Sequence, residues 1–487
     1  MNKPTPTQTI LLGFFLILIA VSWGRVLRAD NGLQTRTTTL DGVPMRFLVP
    51  DSAEIVPGII VAHGFAGSQQ LMLGYGYTLA HAGYGVVLLD FTGHGANPAP
   101  LNSSRNALQE NLDEAYAWLV SQPEVDSSRV GLVGHSMGSG AVMQAGIADP
   151  ERYAAVVALS PTGADVTPNE PRNLYLQAGA LEGQFVANAK DLFVVAGGEN
   201  GDFDGGKARA FDIIPNVEHI SILFSPESHH KTLAWMDQVF GREIGAPYRD
   251  ARILWYGLNL LGWLGVALVA ARLFPAKPVI IPEPKPLARR LGGLVVAPLV
   301  TTGLLFILAQ GFDIRSLGGM LVGGVLILWF FVMGILWLGV GFRFPSVARR
   351  DILAGVGVFA LLTLAFGALA HLVWLPWWMI PARLARVPFF FLACLPWALA
   401  TGLTQAGTSG RDRALWWLAQ SIFVGVGLGI AAFAVPGMFF LALILPVVPI
   451  VLAVMSVADA AFRSPVGYAM GGGLFFAWLV AVLFPLA

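Results

Sequence analysis

Two patterns of apolar and polar residues divide the chain. Between residues 36 and 245, short β-branched and apolar runs bounded by glycine turns alternate with helix-like stretches. From Ile253 onward, long apolar runs follow one another with short polar breaks. The first pattern predicts a mostly parallel sheet with helices on both faces. The second predicts helices that cross a membrane.

The short runs of the first part predict strands separated by helices such as Ala107 to Ser121 and Gly138 to Ala148. Parallel strands present their carboxyl ends at one edge of a sheet, so we expect the chemistry at that edge. The predicted strands are Thr37 to Leu40, Arg46 to Val49, Gly58 to Ala62, Gly85 to Leu89, Val130 to Val133, Ala155 to Leu159, Leu174 to Gln177, Leu192 to Val195 and Ile220 to Phe224.

The second part, 246–487, is predicted to be a membrane domain of about eight transmembrane helices, because each apolar run is long enough to span about 30 Å of hydrocarbon. An N-terminal run from Ile10 to Trp23 fits an uncleaved anchor, which we favour, or a signal peptide. Residues 1–35 are therefore interpreted as an anchor and linker. The predicted spans are 253–274, 291–309, 318–341, 352–375, 388–405, 414–434, 437–458 and 466–486.

Basic residues are concentrated in alternate loops between these runs. One set of loops carries ten Lys and Arg, whereas the other carries only Arg315, Arg383 and Arg386. Positive charge is retained on the cytoplasmic side. We therefore expect a bacterial cytoplasmic membrane with the N-terminus inside and 36–245 outside. The ten are Lys277, Lys285, Arg289, Arg290, Arg343, Arg349, Arg350, Arg411, Arg413 and Arg463.

The charge totals hide an asymmetry between the two parts. The whole chain balances 30 basic against 30 acidic residues, yet residues 1–252 hold 16 basic and 25 acidic ones. The first part therefore lacks the basic stripe that a nucleic-acid partner requires. The single cysteine, Cys394, excludes an intrachain disulfide.

The most informative motif is Gly134-His135-Ser136-Met137-Gly138, a GxSxG sequence. A predicted strand leads directly into it and a helix of small residues leaves it. Ser136 would then lie on a tight strand-to-helix turn that exposes a nucleophile, and the glycines would avoid Cβ clashes there.

Two further strand ends carry matching loops, His63-Gly64-Phe65-Ala66-Gly67-Ser68 and Asp90-Phe91-Thr92-Gly93-His94-Gly95. With the GHSMG turn, these loops resemble the α/β-hydrolase superfamily over about 210 residues, most closely its serine esterase, lysophospholipase and aminopeptidase-like members. The resemblance implies an α/β hydrolase fold for this part of the chain, while the apolar runs predict an all-α transmembrane domain after it. It also implies an oxyanion hole formed by the amides of Phe65 and Met137.

A serine nucleophile needs an imidazole base and a carboxylate that orients it. The loop after the last predicted strand holds the family's histidine, which favours His229 over its neighbour His230, whereas His219 would precede that strand. Glu182 is the favoured acid because it follows Leu174 to Gln177. Asp165, Glu199 and Asp202 remain alternatives, and Asp90 is interpreted as stabilising its turn.

Two functions from different classes fit these features. In the first, a membrane-anchored serine hydrolase cleaves an acyl ester of a lipid-like substrate through a Ser-His-Glu/Asp triad and a covalent acyl-enzyme; a peptidase or thioesterase is not excluded. The bilayer or outer loops would then complete a pocket that lacks its own lid. In the second, a transporter or assembly platform carries a non-catalytic hydrolase-like domain.

The expected partners are the lipid bilayer and the acyl substrate, without nucleic acid. No cofactor is expected, and no metal, because His63, His94 and His135 lack zinc-ligand spacing. The oligomeric state cannot be derived from the sequence.

Overall fold

The computed structural model describes residues 4–52, 54–101, 105–242, 248–273 and 283–487. Across these residues, eight strands form one sheet in the order β1-β2-β4-β3-β5-β6-β7-β8. The strands β1 and β2 are antiparallel to each other, and β2 is antiparallel to β4, whereas all later pairings are parallel. The strands are β1 Leu33–Leu40, β2 Val43–Pro50, β3 Val56–Ala62, β4 Gly85–Leu89, β5 Val125–His135, β6 Ala155–Leu159, β7 Leu174–Gly179 and β8 Arg209–Ile214.

Helices cover both faces of this sheet, so the predicted α/β fold class is confirmed. The interior strands β3, β4 and β6 are buried along their whole length, as expected of strands packed on both faces. The helices around the sheet are α2 Leu73–His81, α3 Arg105–Val120, α4 Met137–Ala148, α5 Gly183–Val195 and α6 Pro226–Phe240, and α1 Pro6–Val26 precedes the sheet.

Two predicted strands are wrong and one strand was missed. Leu192–Val195 is the last turn of α5, and Ser221–Phe224 is a 3₁₀ turn within the predicted strand Ile220 to Phe224. The missed strand is β8, an edge strand that contains the charged residues Arg209 and Asp212. Asp212 is partly exposed at this edge, whereas Arg209 is buried and donates to the carbonyl oxygens of Ala208 and Pro168. These two charges interrupt the apolar pattern of the strand.

The second part of the chain is helical, and its helices end close to the predicted limits. The boundary predicted between residues 245 and 246 lies outside the described residues. The helices are α7 Arg252–Leu273, α8 Leu287–Gly311, α9 Gly323–Gly341, α10 Arg349–Leu362, α11 Ala368–Val373, α12 Pro381–Leu384, α13 Val387–Gln405, α14 Gly410–Ala434, α15 Val447–Phe462 and α16 Pro465–Leu483.

Among the described residues, eight helices are long and apolar enough to cross a membrane. One is α1 and seven lie in the second part, where α10 continues through a π turn into α11, and α12 joins α13 in one span. The seventh predicted span, 437–458, differs. It forms a 3₁₀ turn, Phe439–Ile444, and then the 16-residue helix α15, because Pro446 ends the first element and caps the second.

The N-terminal helix α1 packs against α7 through glycines. A Cβ on Gly262 would lie 2.7 Å from the Ile19 side chain, and one on Gly265 would lie 2.5 Å from the Phe15 ring. Small residues allow such close approach of helices in lipid. The helix α1 is thus part of the helical bundle, although most of its surface is exposed.

The two parts of the chain are joined by Arg383, whose side chain is buried between them. Its guanidinium donates to the carbonyl oxygens of Gly93 and Gly95 in the first part, at 2.6 and 2.8 Å. It also donates to Ala481 and Phe484 at the end of α16, at 2.8 and 2.7 Å. The planar guanidinium group of Arg383 therefore links the Asp90–Gly95 turn to the carboxyl end of the last helix.

Candidate active site

Ser136 lies at the sharp turn between β5 and α4. Its φ and ψ are 52° and −118°, a strained conformation for a residue with a side chain. The turn has no room for larger neighbours: a Cβ on Gly134 would lie 2.3 Å from the Gly138 carbonyl oxygen, and one on Gly138 2.5 Å from the His63 carbonyl oxygen. The two glycines therefore permit the bend that presents the Ser136 hydroxyl.

Three side chains from separate strand ends meet in a line of hydrogen bonds. The Ser136 hydroxyl lies 3.0 Å from Nε2 of His219, and Nδ1 of His219 lies 2.8 Å from a carboxylate oxygen of Glu182. They follow β5, β8 and β7, respectively, at the carboxyl edge of the sheet. The structure thus brings Ser136 and Glu182 together through a histidine that the sequence analysis set aside.

Two hydrogen bonds hold the Glu182 carboxylate in one orientation. The hydroxyl of Ser160 donates at 2.7 Å to Oε1, the carboxylate oxygen that does not face His219, and the amide of Gly179 donates to the same oxygen. Glu182 is nearly buried, so these donors replace the water that it loses. The remaining carboxylate oxygen then faces His219.

The loop that carries His219 is fixed by contacts to its backbone and its ring. The His135 ring nitrogen Nε2 lies 2.9 Å from the carbonyl oxygen of His219, and burial holds the pKa of His135 well below its ordinary value. A neutral His135 donates this bond. Phe185 stacks on the His219 ring with centroids 4.1 Å apart, which restricts rotation of the imidazole.

His229, the histidine predicted to be the base, is not at this site, and the prediction is corrected. It lies in the first turn of α6, where Nε2 lies 2.9 Å from the Leu223 carbonyl oxygen and its ring packs edge-on against Tyr75. Burial lowers the pKa of His229 to about 4. The error follows from β8: the last strand ends at Ile214, so the loop after it contains His219. His230 is half-buried on the same helix.

The turn at Pro215 and Asn216 is the signal that could have identified the true end of the last strand. Asn216 adopts a left-handed conformation with φ of 59°, and a Pro-Asn pair after two isoleucines is typical of a turn that follows a strand. His219 comes three residues after Asn216.

The other candidate carboxylates lie elsewhere. Asp165, Glu199 and Asp202 are exposed. Asp90 is buried and accepts hydrogen bonds from the amides of Gln69 and Ala96, at 2.7 and 2.9 Å, which supports its interpretation as a turn-stabilising residue.

The Gly64-Phe65 peptide is held against Ser136 by His63. The Phe91 amide donates to Nε2 of His63 at 3.1 Å, so Nδ1 carries the proton and donates to the Gly64 carbonyl oxygen at 2.7 Å. Burial lowers the pKa of His63, which favours this neutral form. The peptide is trans, so the Phe65 amide points away from that carbonyl.

Both predicted oxyanion donors have free amides. Among the described residues, neither the Phe65 nor the Met137 amide has a hydrogen-bond acceptor, and Met137 begins α4, whose first amides have no partner within the helix. A Cβ on Gly64 would lie 2.9 Å from the Ser136 Cβ, so the Phe65 loop adjoins the serine. The geometry can accommodate a negatively charged oxygen beside Ser136.

The helical part covers the site. Phe65 stacks on Phe440 with ring centroids 4.1 Å apart, and a cavity of about 120 Å³ extends from His219 and the Phe65 loop into the helices. Ser136 and His219 are only 6% and 5% exposed. Among the residues that the structure describes, no group of three or more His, Cys, Asp or Glu side chains is placed to hold a metal ion.

Residues 54–196 match the model of the family described as serine aminopeptidase S33. This segment contains the strand, turn and helix around Ser136, and it belongs to a mostly parallel sheet with helices on both faces. The chain carries an α/β-hydrolase domain. Several helices that follow it are long and apolar enough to cross a membrane.

Curated relatives match part of the chain. An uncharacterised 31.7 kDa protein of Escherichia coli, from the traX-finO intergenic region, is 29% identical over 128 residues, which cover 26% of this chain and 45% of that protein. An uncharacterised protein of Mycobacterium tuberculosis is 32% identical over 105 residues, or 22% of this chain and 36% of that protein. The chain thus spans less than half the length of these relatives.

Solved structures are similar to the hydrolase domain at low sequence identity. A predicted hydrolase from Thermoplasma acidophilum is 16% identical with a TM-score of 0.34, covering 42% of this chain and 97% of that one. A membrane phospholipase A described as a bacterial virulence factor is 15% identical with a TM-score of 0.35, covering 47% and 93%. These likenesses say nothing about the substrate of this chain.

Proposed function

We propose that the protein is a membrane-bound serine hydrolase that cleaves acyl esters of lipid-like substrates. Ser136 is the nucleophile, His219 the base, Glu182 the residue that orients the base, and the amides of Phe65 and Met137 form the oxyanion hole. The observation that carries this proposal is the line of hydrogen bonds from Ser136 through His219 to Glu182, at 3.0 and 2.8 Å.

The geometry supports acyl transfer in two steps. Ser136 Oγ attacks the carbonyl carbon while its proton moves to Nε2 of His219, and Glu182 stabilises the imidazolium that forms. The tetrahedral oxyanion accepts hydrogen bonds from the two free amides. His219 then gives the proton to the leaving alkoxide, which leaves an acyl-enzyme. Water attacks this ester next, with His219 again as base, and releases the carboxylic acid and Ser136.

The burial of the site supports a substrate that partitions into the membrane. The hydrolase domain has only a short segment between β6 and β7, and the helical part covers Ser136 instead. A polar substrate dissolved in water would have to pass apolar walls to reach the serine. A lipid-like ester is stabilised by such walls.

The directions of the helices support an extracytoplasmic hydrolase domain. The helix α16 begins after Arg463 and ends at Leu483, and the next residue, Phe484, lies beside Gly93 of the hydrolase domain. The other described members of the ten-residue basic set lie in loops or first helical turns at the same end of the bundle as Arg463, while Lys277 lies outside the described residues. The hydrolase domain and the basic loops are thus at opposite ends, as the positive-inside rule requires for an external domain.

Replacing the nucleophile tests the proposal directly. We expect Ser136→Ala to abolish covalent labelling of the full-length protein by a fluorophosphonate and to lower ester hydrolysis by at least about 10³-fold, because the acyl-enzyme cannot form. Ser128→Ala is the control, because Ser128 is exposed and its hydroxyl donates to Asp126, away from Ser136; it should keep both signals. Failure of the folded wild-type protein to label would contradict the proposal and favour a non-catalytic binding module.

A further inference from the structure

An apolar cavity leads from the candidate active site into the helical bundle. Its lining includes Phe65 and His219 on the side of the hydrolase domain and Phe330, Trp397 and Val451 on the side of the helices. Apart from Ser68 and two histidines, the described lining residues are apolar or glycine. The cavity therefore offers hydrocarbon contacts, with polar groups confined to the end near Ser136.

The cavity extends into the spans rather than along their ends. Phe330 lies seven residues past Gly323, the first residue of α9, which corresponds to about 10 Å along the helix axis. Trp397 lies ten residues past Val387 on α13, which corresponds to about 15 Å. Both are fully buried in the bundle. A chain that enters from the serine would thus pass into the bundle interior.

We propose that the membrane bundle itself contains the binding site for the hydrocarbon chain of the substrate. The inference rests on the proposed function, since it takes the reactive carbonyl to be at Ser136. The chain packs against the stacked pair of Phe65 and Phe440 at its start. Further in, it packs against Phe330, Trp397 and Val451. The helices are therefore a specificity-determining part of the enzyme as well as its anchor.

The volume of the cavity sets an expected chain length. An engineered apolar cavity of about 150 Å³ holds a benzene ring, so a cavity of about 120 Å³ accommodates a segment of about five or six carbons. Each methylene transferred from water to an apolar site favours binding by about fourfold. We expect kcat/KM to rise with chain length up to about six carbons and then to level off.

Filling the cavity should remove this preference and leave the chemistry intact. Val451 is 3% exposed and lines the cavity, whereas its neighbour Ile450 on α15 is 53% exposed on the outer surface. In Val451→Phe, we expect hydrolysis of p-nitrophenyl hexanoate to fall at least about tenfold relative to the acetate, while labelling of Ser136 by a small fluorophosphonate persists. Ile450→Phe is the control and should retain the wild-type profile.

Two series of esters distinguish which chain occupies the cavity. One series consists of p-nitrophenyl esters whose acyl chain grows from two to eight carbons, so that each step adds methylene groups to the acyl side. The other varies the alcohol chain of acetate esters. Chain-length dependence in either series, lost in Val451→Phe, supports the proposal and identifies the chain. A flat wild-type profile in both series overturns it even if Val451→Phe fails to fold. Absence of wild-type labelling would instead refute the proposed function.

Discussion

Two histidines ten positions apart lie in different surroundings. The ring nitrogens of His219 face a carboxylate oxygen and a hydroxyl group. In His229, Nε2 faces a backbone carbonyl oxygen, and Nδ1 is buried without a hydrogen-bond partner among the described residues. The first arrangement can move a proton between two polar groups. The second keeps a neutral imidazole inside an apolar layer, where it packs against Tyr75.

The burial of His229 predicts a loss of stability in acid. The unfolded ring has a pKa near 6.5, whereas the folded pKa is about 4. Below pH 6.5 the unfolded state binds a proton that the folded state does not. The contribution of His229 to the free energy of unfolding is therefore fully present above pH 6.5 and is lost as the pH falls towards 4. The loss amounts to up to about 3 kcal/mol. In His229→Gln, we expect the apparent melting temperature to fall less between pH 7.5 and pH 5.

The control for this measurement is His230→Gln, which changes the half-buried neighbour on the same helix. It should keep the wild-type dependence of melting temperature on pH. The buried rings of His63, His94 and His135 also have lowered pKa values and still contribute in both variants. An unchanged slope in His229→Gln would contradict the assignment of a buried, neutral His229.

At the residue scale, the sequence predicted the tight turn at Ser136, the proposed nucleophile, because the residues that form this turn are adjacent in the chain. Gly134, Ser136 and Gly138 are adjacent in the chain, and one bend explains all three. Glu182 could be chosen as the candidate acid because the apolar run of β7 is clear, and the position of the loop after that strand follows from it. His219 was not chosen, because its position in the fold depends on where β8 ends, and the charges of Arg209 and Asp212 obscure that strand.

At the scale of elements, apolar runs predicted the buried strands and most spans well. The predicted limits of β4 and β6 agree with the structure, because strands buried on both faces leave no polar positions inside. Short apolar runs did not distinguish a strand from a helical turn. Leu192–Val195 contains apolar residues that serve as the last turn of a helix, where Leu192 is buried one turn after Ala189.

The element that couples the two parts is α12, through Arg383. Replacing it by glutamine would leave several buried carbonyl oxygens without a donor, each at a cost of about 1 to 3 kcal/mol. We expect Arg383→Gln to lower the melting temperature and to weaken the chain-length preference, because the Asp90–Gly95 turn loses its side-chain link to the end of α16. The backbone bond from the Leu486 amide to the Gly93 carbonyl oxygen remains. Hydrolysis of a soluble acetate ester should be less affected.

The control for this coupling is Arg386→Gln, three residues further along. Arg386 donates to Ala382, within the helical part, so its replacement leaves the contact with the hydrolase domain intact. Melting curves and chain-length profiles of the two variants provide the comparison. Equal effects of the two substitutions would contradict a specific coupling through Arg383.

At the scale of the whole molecule, the helical bundle closes the site that the hydrolase domain leaves open. The stacking of Phe65 on Phe440 places a bundle side chain against the candidate oxyanion loop. The sequence predicted two unlike parts and their α/β and helical character. It could not predict the shared cavity, because the lining residues come from segments more than 400 positions apart, from Gly64 to Phe484.

The central claim is that Ser136 is activated by His219, and labelling kinetics of the full-length protein in membranes test it most directly. The rate of fluorophosphonate attachment is compared between His219→Gln and His229→Gln. We predict a fall of at least about 10³-fold in the first, because the serine loses its base, and a rate within a few fold of wild type in the second. Unimpaired labelling of folded His219→Gln, or loss of labelling in folded His229→Gln alone, would contradict the account.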